Sequence, residues 1–217
     1  MTQWLVLNAG SSSLKFALYA DAGAELVRGA VSGIGHRPRL RIRTADGQAD
    51  EETLGSGPID MDAAAALVFD RLDSGPHGKQ GISAVGHRIV HGGQKLAGPA
   101  RLDGPTLDYL STLEPLAPLH QPYNLAIVAA AAQRYPDALQ VGAFDTAFHA
   151  GRPALQKLYG LPRALIEDGI IAYGFHGLSF EAIADRLTRR FGPDAGGRAL
   201  VLHLSLIHIS EPTRLRR

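Results

Sequence analysis

The 217-residue chain has no cysteine, which excludes disulfides, thiolate catalysis and cysteine-ligated zinc. It has no apolar run near the roughly 20 residues needed to span a bilayer. The first residues lack the basic start and apolar stretch of a secretory signal, so the plain expectation is a cytoplasmic protein. There is no G-x-S-x-G elbow, which weighs against a Ser-His-Asp hydrolase. Nor is there an excess of one charge: 22 Lys and Arg face 21 Asp and Glu, a net +1. Residues 205–217 carry three Arg and one Glu, and without them the balance is −1 (19 basic, 20 acidic). No nucleic-acid or membrane partner is implied. No internal repeat is visible. With 45% hydrophobic and 20% charged residues, the chain is globular and long enough for a packed core.

The pattern along the chain predicts a mixed α/β protein. Apolar runs at residues 4–7 and 14–19, split by a polar turn, read as strand, turn, strand. Two further strands are expected at 25–34 and 39–43; the second alternates Arg39, Arg41 and Arg43 with Leu40 and Ile42, as a half-exposed edge would. Helices are expected at 60–72, 123–135 and 180–191, and strands at 82–90, 139–144 and 199–204. A meander followed by alternating helices and strands fits an α/β architecture.

Asn8-Ala-Gly-Ser-Ser-Ser-Leu-Lys15 is the first segment with chemistry in it. A Gly and three hydroxyls between two strands can hold phosphate oxygens, Lys15 adds a cation, and Asn8 suits a hydrated magnesium ion. It is not a P-loop: the second Gly is missing and a strand follows where a helix should. An ordinary Ser-rich hairpin turn is the competing reading. In Gly86-His-Arg-Ile-Val-His-Gly-Gly93, alternation puts His87, Ile89 and His91 on one face and Arg88 and Val90 on the other. A half-buried Arg88 needs an anion, either a ligand or a structural Asp or Glu. The paired glycines would let a ligand approach the backbone. A zinc site at His87 and His91 lacks an evident third ligand. His120 stands in a proline-framed segment before a helix, Asp145 at the end of a strand, and His176 between glycines before a helix. These groups supply donors, cations and a carboxylate without a nucleophile–base pair, as phosphoryl transfer requires.

Leu7-Asn-Ala-Gly-Ser-Ser-Ser-Leu-Lys15 and Gly86-His-Arg-Ile-Val-His-Gly-Gly93 resemble the two signatures of the acetate kinase family. Pro118-Leu-His-Gln-Pro122, Phe144-Asp-Thr-Ala-Phe-His149 and Tyr173-Gly-Phe-His-Gly177 resemble three further blocks in the family's order, and the match runs from about residue 3 to 203. The resemblance implies an actin-like ATPase (ribonuclease H-like) fold of two related α/β domains, homodimeric when complete. Residues 1–148 would form the N-terminal domain, 149–203 the start of a nucleotide-binding domain, and 204–217 a tail outside both. By family roles, Asn8 would position Mg2+, while Ser11, Ser12, Ser13 and Lys15 form the phosphate turn. Arg88 would hold the carboxylate or acetyl phosphate, with His120 and Asp145 near the transferring group. His176 would donate to the phosphoryl oxygens, and His203 would stand by the nucleotide phosphates. The implied reaction is reversible in-line transfer from ATP to acetate, with propionate or butyrate as the alternative acceptor and a non-catalytic phosphate-binding fragment as the alternative of another class.

The chain departs from the family at Gln121, where Asn is expected, and at Leu178 and Phe180, where Thr and His are common. After His203 the family continues with Gly-Asn-Gly; here Leu204-Ser-Leu-Ile-His-Ile-Ser-Glu-Pro-Thr-Arg214 resembles the translation of a transposase sequencing adapter. A truncated, inactive chain is the expectation, lacking the second phosphate turn, a further Arg, a magnesium-linked Glu and most of the adenosine-binding domain.

Overall fold

The computed structural model describes residues 2–55, 57–78, 81–192 and 199–203. The expected tail at 204–217 lies outside the described residues.

Alternating apolar residues at Leu5, Leu7, Leu14, Phe16 and Leu18 commit the first two runs to a hairpin with one buried face. They form β1 (Gln3–Ala9) and β2 (Ser13–Tyr19), and the meander continues through β3 (Glu25–Ser32), β4 (Arg39–Thr44) and β5 (Ala49–Thr53). After α1 (Met61–Ser74) the chain returns as β6 (Ile82–Ile89), then β7 (Ala100–Arg101), α2 (Gly104–Ser111), α3 (Gln121–Arg134) and β8 (Leu139–Phe144). The last described helices are α4 (Arg163–Glu167) and α5 (Gly177–Phe191).

The eight strands make one sheet in the order β5-β4-β3-β2-β1-β6-β8-β7. Its middle is parallel, with β6 lying between β1 and β8; the remaining pairs are antiparallel. Helices α1 and α3 cover one face. Met61, Ala64, Val68 and Phe69 of α1, with Ile127 and Ala131 of α3, pack on Leu5, Leu7, Leu14 and Val85. Beside them α2 closes a smaller cluster, Leu110 with Ile89, Val128 and Phe144. The opposite face leaves Trp4, Val6 and Leu139 exposed. Among the described residues, no helix is long and apolar enough to cross a membrane.

Two expectations need correction, and one helix is additional. The 39–43 strand is not an edge: β5 pairs with it, and its exposed Ala-Asp-Glu-Glu-Thr carries no apolar signal but sets Glu51 against Arg41 and Arg39. Helix α2 was not expected; Asp103 caps it by accepting from the Thr106 N–H, with Pro105 in its first turn. Residues 199–203 are not a strand; Leu200 and Leu202 stand exposed, with no neighbouring strand to complete a ladder among the described residues.

Candidate active site

The candidate site lies at the C-terminal ends of the parallel strands β1, β6 and β8, where side chains from the three strand ends meet. Asn8 and Arg88 sit in corresponding positions of neighbouring strands, because Leu7 pairs with His87. Asp145 follows the last residue of β8, its N–H donating to the Ile89 carbonyl at 3.0 Å. The register therefore brings the three together. Arg88 donates from Nε and Nη2 to the two Asp145 oxygens, at 3.1 and 2.6 Å, and from Nη1 to Asn8 Oδ1 at 3.0 Å. The Asp145 side chain is 2% exposed and that of Arg88 29%. A carboxylate so buried needs this forked partner.

Gly177 links Asp145 to the start of α5. Its N–H donates to the Asp145 carbonyl at 2.7 Å, and a Cβ there would lie 2.2 Å from that oxygen, so only glycine permits the approach. The preceding His176 takes a left-handed conformation (φ 59°, ψ 22°), uncommon for a residue with a Cβ. Its ring stacks on His203 with centroids 4.3 Å apart and planes 9° apart, and His203 Nδ1 is 3.1 Å from Ser179 Oγ.

Ser11, Ser12, Ser13 and Lys15, the expected phosphate turn, make no described side-chain bond to this centre. Ser11 and Ser12 are exposed at the β1–β2 turn, which is closed by the Gly10 N–H donating to the Ser13 carbonyl. Lys15 lies directly opposite Asn8 in the β1–β2 pair, on the same exposed face of the sheet. His120 is the residue before α3, half-buried, with no side-chain hydrogen bond to Arg88 or Asp145.

Packing requires the glycine pair after β6: a Cβ on Gly92 would meet Phe144, and one on Gly93 (φ 63°) would meet Tyr109 Oη. His87 and His91 are both buried, on the face that alternation assigned to them. Burial pushes the His87 imidazole down to about 4, offset in part by Gln140, whose Oε1 accepts from Nε2 at 2.8 Å. Burial lowers His91 as well; its Nδ1 accepts from the Gly93 N–H, so the ring is neutral. Both are neutral core histidines, and no group of three or more His, Cys, Asp or Glu stands together among the described residues.

Sequence reasoning missed the residues that fasten these strand ends. Asn124, 2% exposed on α3, accepts from the Val90 N–H and donates to the Ala9 carbonyl, bridging β6 to β1. Gln121 accepts from the His91 N–H and donates to the carbonyls of His91 and Leu110. Thr146 Oγ1 accepts from the Gly92 N–H. The available signal was a pair of amides at i and i+3 on a helix face otherwise made of Ile, Val and Ala.

As for magnesium, Asn8 Oδ1 and the Asp145 carboxylate are hard oxygen donors at adjoining strand ends, both accepting from Arg88, with Asn8 half-buried and Asp145 buried. They suit an ion that keeps several waters and shares phosphate oxygens, not one enclosed by protein ligands.

Fold and site together define an α/β protein of the actin-like ATPase class. The Acetokinase family model matches residues 3–205. An acetate kinase of Rhizobium meliloti is 44% identical over 208 residues, covering 94% of this chain and 53% of that protein. One from Rhodopseudomonas palustris (strain TIE-1) is 42% identical over 208 residues, covering 92% and 52%. A propionate kinase structure from Francisella tularensis subsp. tularensis SCHU S4 superposes with a TM-score of 0.80 at 30% identity, over 87% of this chain and 49% of that one. The Porphyromonas gingivalis acetate kinase structure gives 0.78 at 32%, over 90% and 50%. The chain belongs to the acetokinase family. It spans about half the length of the curated relatives it matches.

Proposed function

We propose that this chain carries the acyl-substrate half of a carboxylate kinase, which moves the terminal phosphoryl group of ATP to acetate and back by direct in-line transfer. The observation that carries the reading is the convergence of Asn8, Arg88 and Asp145 at adjoining strand ends, with His176 tied to Asp145 through Gly177. Arg88 spends three of its five N–H donors on Asp145 and Asn8, leaving two for a substrate carboxylate or acetyl phosphate. Asp145 holds the guanidinium in one orientation. His176 and His203, stacked on each other, would supply donors toward a transferring phosphoryl group, while Ser11, Ser12, Ser13 and Lys15 would receive phosphate oxygens and His120 would border the acyl group. Asn8 and Asp145 would hold magnesium, which supplies neutralisation of phosphate charge when bound. With charge balanced and the reactants aligned, such transfer needs no covalent intermediate.

Residues 1–148 are assigned to the acyl-substrate domain and 149–203 to the beginning of the nucleotide-binding domain, in a parent that forms homodimers. The half of the family's length that this chain does not span would complete nucleotide binding, so the 217-residue chain is expected to bind acetyl phosphate without turning it over. The acceptor is assigned as acetate. Because one methylene is worth about 1–3 kcal/mol, rates with acetate, propionate and butyrate for a chain extended to family length would separate the candidates.

Calorimetric titration of acetyl phosphate into the 217-residue chain tests the assignment. Arg88→Lys keeps the charge but loses the fork, and is expected to weaken binding roughly tenfold or more. Unchanged affinity would remove Arg88 from the site, and magnesium-dependent acetyl phosphate formation by the 217-residue chain would overturn its expected inactivity.

A further inference from the structure

A second concentration of positive charge lies behind the strand ends. After β8 the chain forms a 3-10 turn at Ala147–His149, and Tyr173 further along packs its ring on His91, which follows β6. Between them is a pocket of about 110 Å³, bordered by Gln94, Thr146, His149, Arg152, Lys157 and Tyr173. None of Asn8, Ser11, Ser12, Ser13, Arg88 or Asp145 lines it.

The two cations here are held by neutral groups. Arg152 donates from Nε to the His149 carbonyl at 3.2 Å and from Nη2 to the Ala172 carbonyl at 2.8 Å. Lys157 Nζ donates to the Ala150 carbonyl. No Asp or Glu lines the pocket, and neither cation belongs to an ion pair among the described residues. Most other Arg side chains with described partners do have a carboxylate: Arg28, Arg39, Arg41, Arg71, Arg88, Arg134 and Arg189. Three N–H donors of Arg152 and two of Lys157 remain after these bonds. Two positive charges in one small concavity repel each other, and the repulsion is relieved by an anion between them.

We infer that this pocket is a second anion site, taking a tetrahedral oxyanion of the size of inorganic phosphate between Arg152 and Lys157. Its volume equals that of three to four water molecules at about 30 Å³ each, enough for an anion of five heavy atoms and too small for a nucleotide. The guanidinium fork matches two oxygens of such an ion, and the ammonium adds a point charge. The inference stands on this geometry and does not rest on the kinase reading. Occupancy would also tie together three segments: the turn after β6, the turn after β8, and the residues around Ala172 that lead to His176.

The test is a titration of inorganic phosphate into the 15N-labelled 217-residue chain at constant ionic strength, read as amide shifts residue by residue. Saturable shifts at Gln94, Lys157 and Gly174 are expected, separate from any at Ser11 to Lys15. Lys157→Gln is expected to weaken the first set roughly tenfold or more and leave the second unchanged. Lys157→Arg, which restores the charge, is expected to recover the binding. A phosphomonoester such as glycerol 2-phosphate distinguishes free phosphate from the end of a larger molecule, since it should bind the pocket more weakly than phosphate. Shifts confined to the phosphate turn and Arg88, equal affinity in Lys157→Gln, or tighter binding of the ester would overturn the assignment.

Discussion

Arg88 and Asp145 were each candidates to hold something from outside the chain, and in the fold they hold each other. The sequence left open whether the anion beside Arg88 was a ligand or a structural acid, since alternation assigns a face but not a partner across 57 residues. The buried histidines of the same strand carry a consequence for stability. An unfolded histidine titrates near 6.5, while His87 in the fold is depressed to about 4 because burial penalises its charged form. Between those values the unfolded chain binds a proton that the native state does not. The stabilisation is therefore fully present above about pH 6.5 and is lost as pH falls toward 4. His91, also lowered by burial, adds in the same direction. The chain is expected to be at least about 2 kcal/mol less stable at pH 5 than at pH 7, with His87→Gln flattening that slope. Urea unfolding curves at the two pH values would check it, and an equal slope in the variant would show that other groups dominate.

At the scale of elements, α3 is a clamp as much as a core helix. Ile127 and Ala131 pack on the sheet, while one turn earlier Asn124 fastens the ends of β1 and β6. Asn124→Ala would orphan the Val90 N–H and the Ala9 carbonyl, each at a cost of about 1–3 kcal/mol. It is expected to weaken acetyl phosphate binding as well, because Asn8 and Arg88 lose their common brace; Asn124→Asp retains the acceptor for Val90 and should lie between. Calorimetry with thermal melts of both variants measures the two effects together. The motif blocks were legible in the sequence because Gly, Ser, Arg and His at strand ends are chemically distinctive. The first two strands of the meander were legible as apolar runs around a polar turn and β4 through its alternation, while α1 was legible through its alanines and α3 through the prolines that bound it. Strand β5 was not, because five exposed residues carry no pattern and only pairing with β4 makes them a strand. Helix α2 was hidden by its Gly-Pro opening, which reads as a turn. The apolar run at 199–203 failed for the opposite reason: composition suggested a strand where pairing supplied none.

For the molecule as a whole, the sheet divides into a local part and a distant part. Strands β1 to β5 are joined by short turns, but β6 reaches β1 only after α1, and β8 reaches β6 only after α2 and α3. Asn8 and Arg88 are separated by 80 residues, Arg88 and Asp145 by 57. Closing those separations costs chain entropy before any contact repays it, so the meander should order first and the parallel centre afterwards. On that order the polar centre is expected to form after the folding transition state and to be complete only in the finished protein. A ligand bound there has nothing to hold until folding is over. Acetyl phosphate is therefore expected to slow unfolding in proportion to its binding energy and to leave the refolding rate unchanged, a contrast that stopped-flow measurements with and without the ligand would read directly.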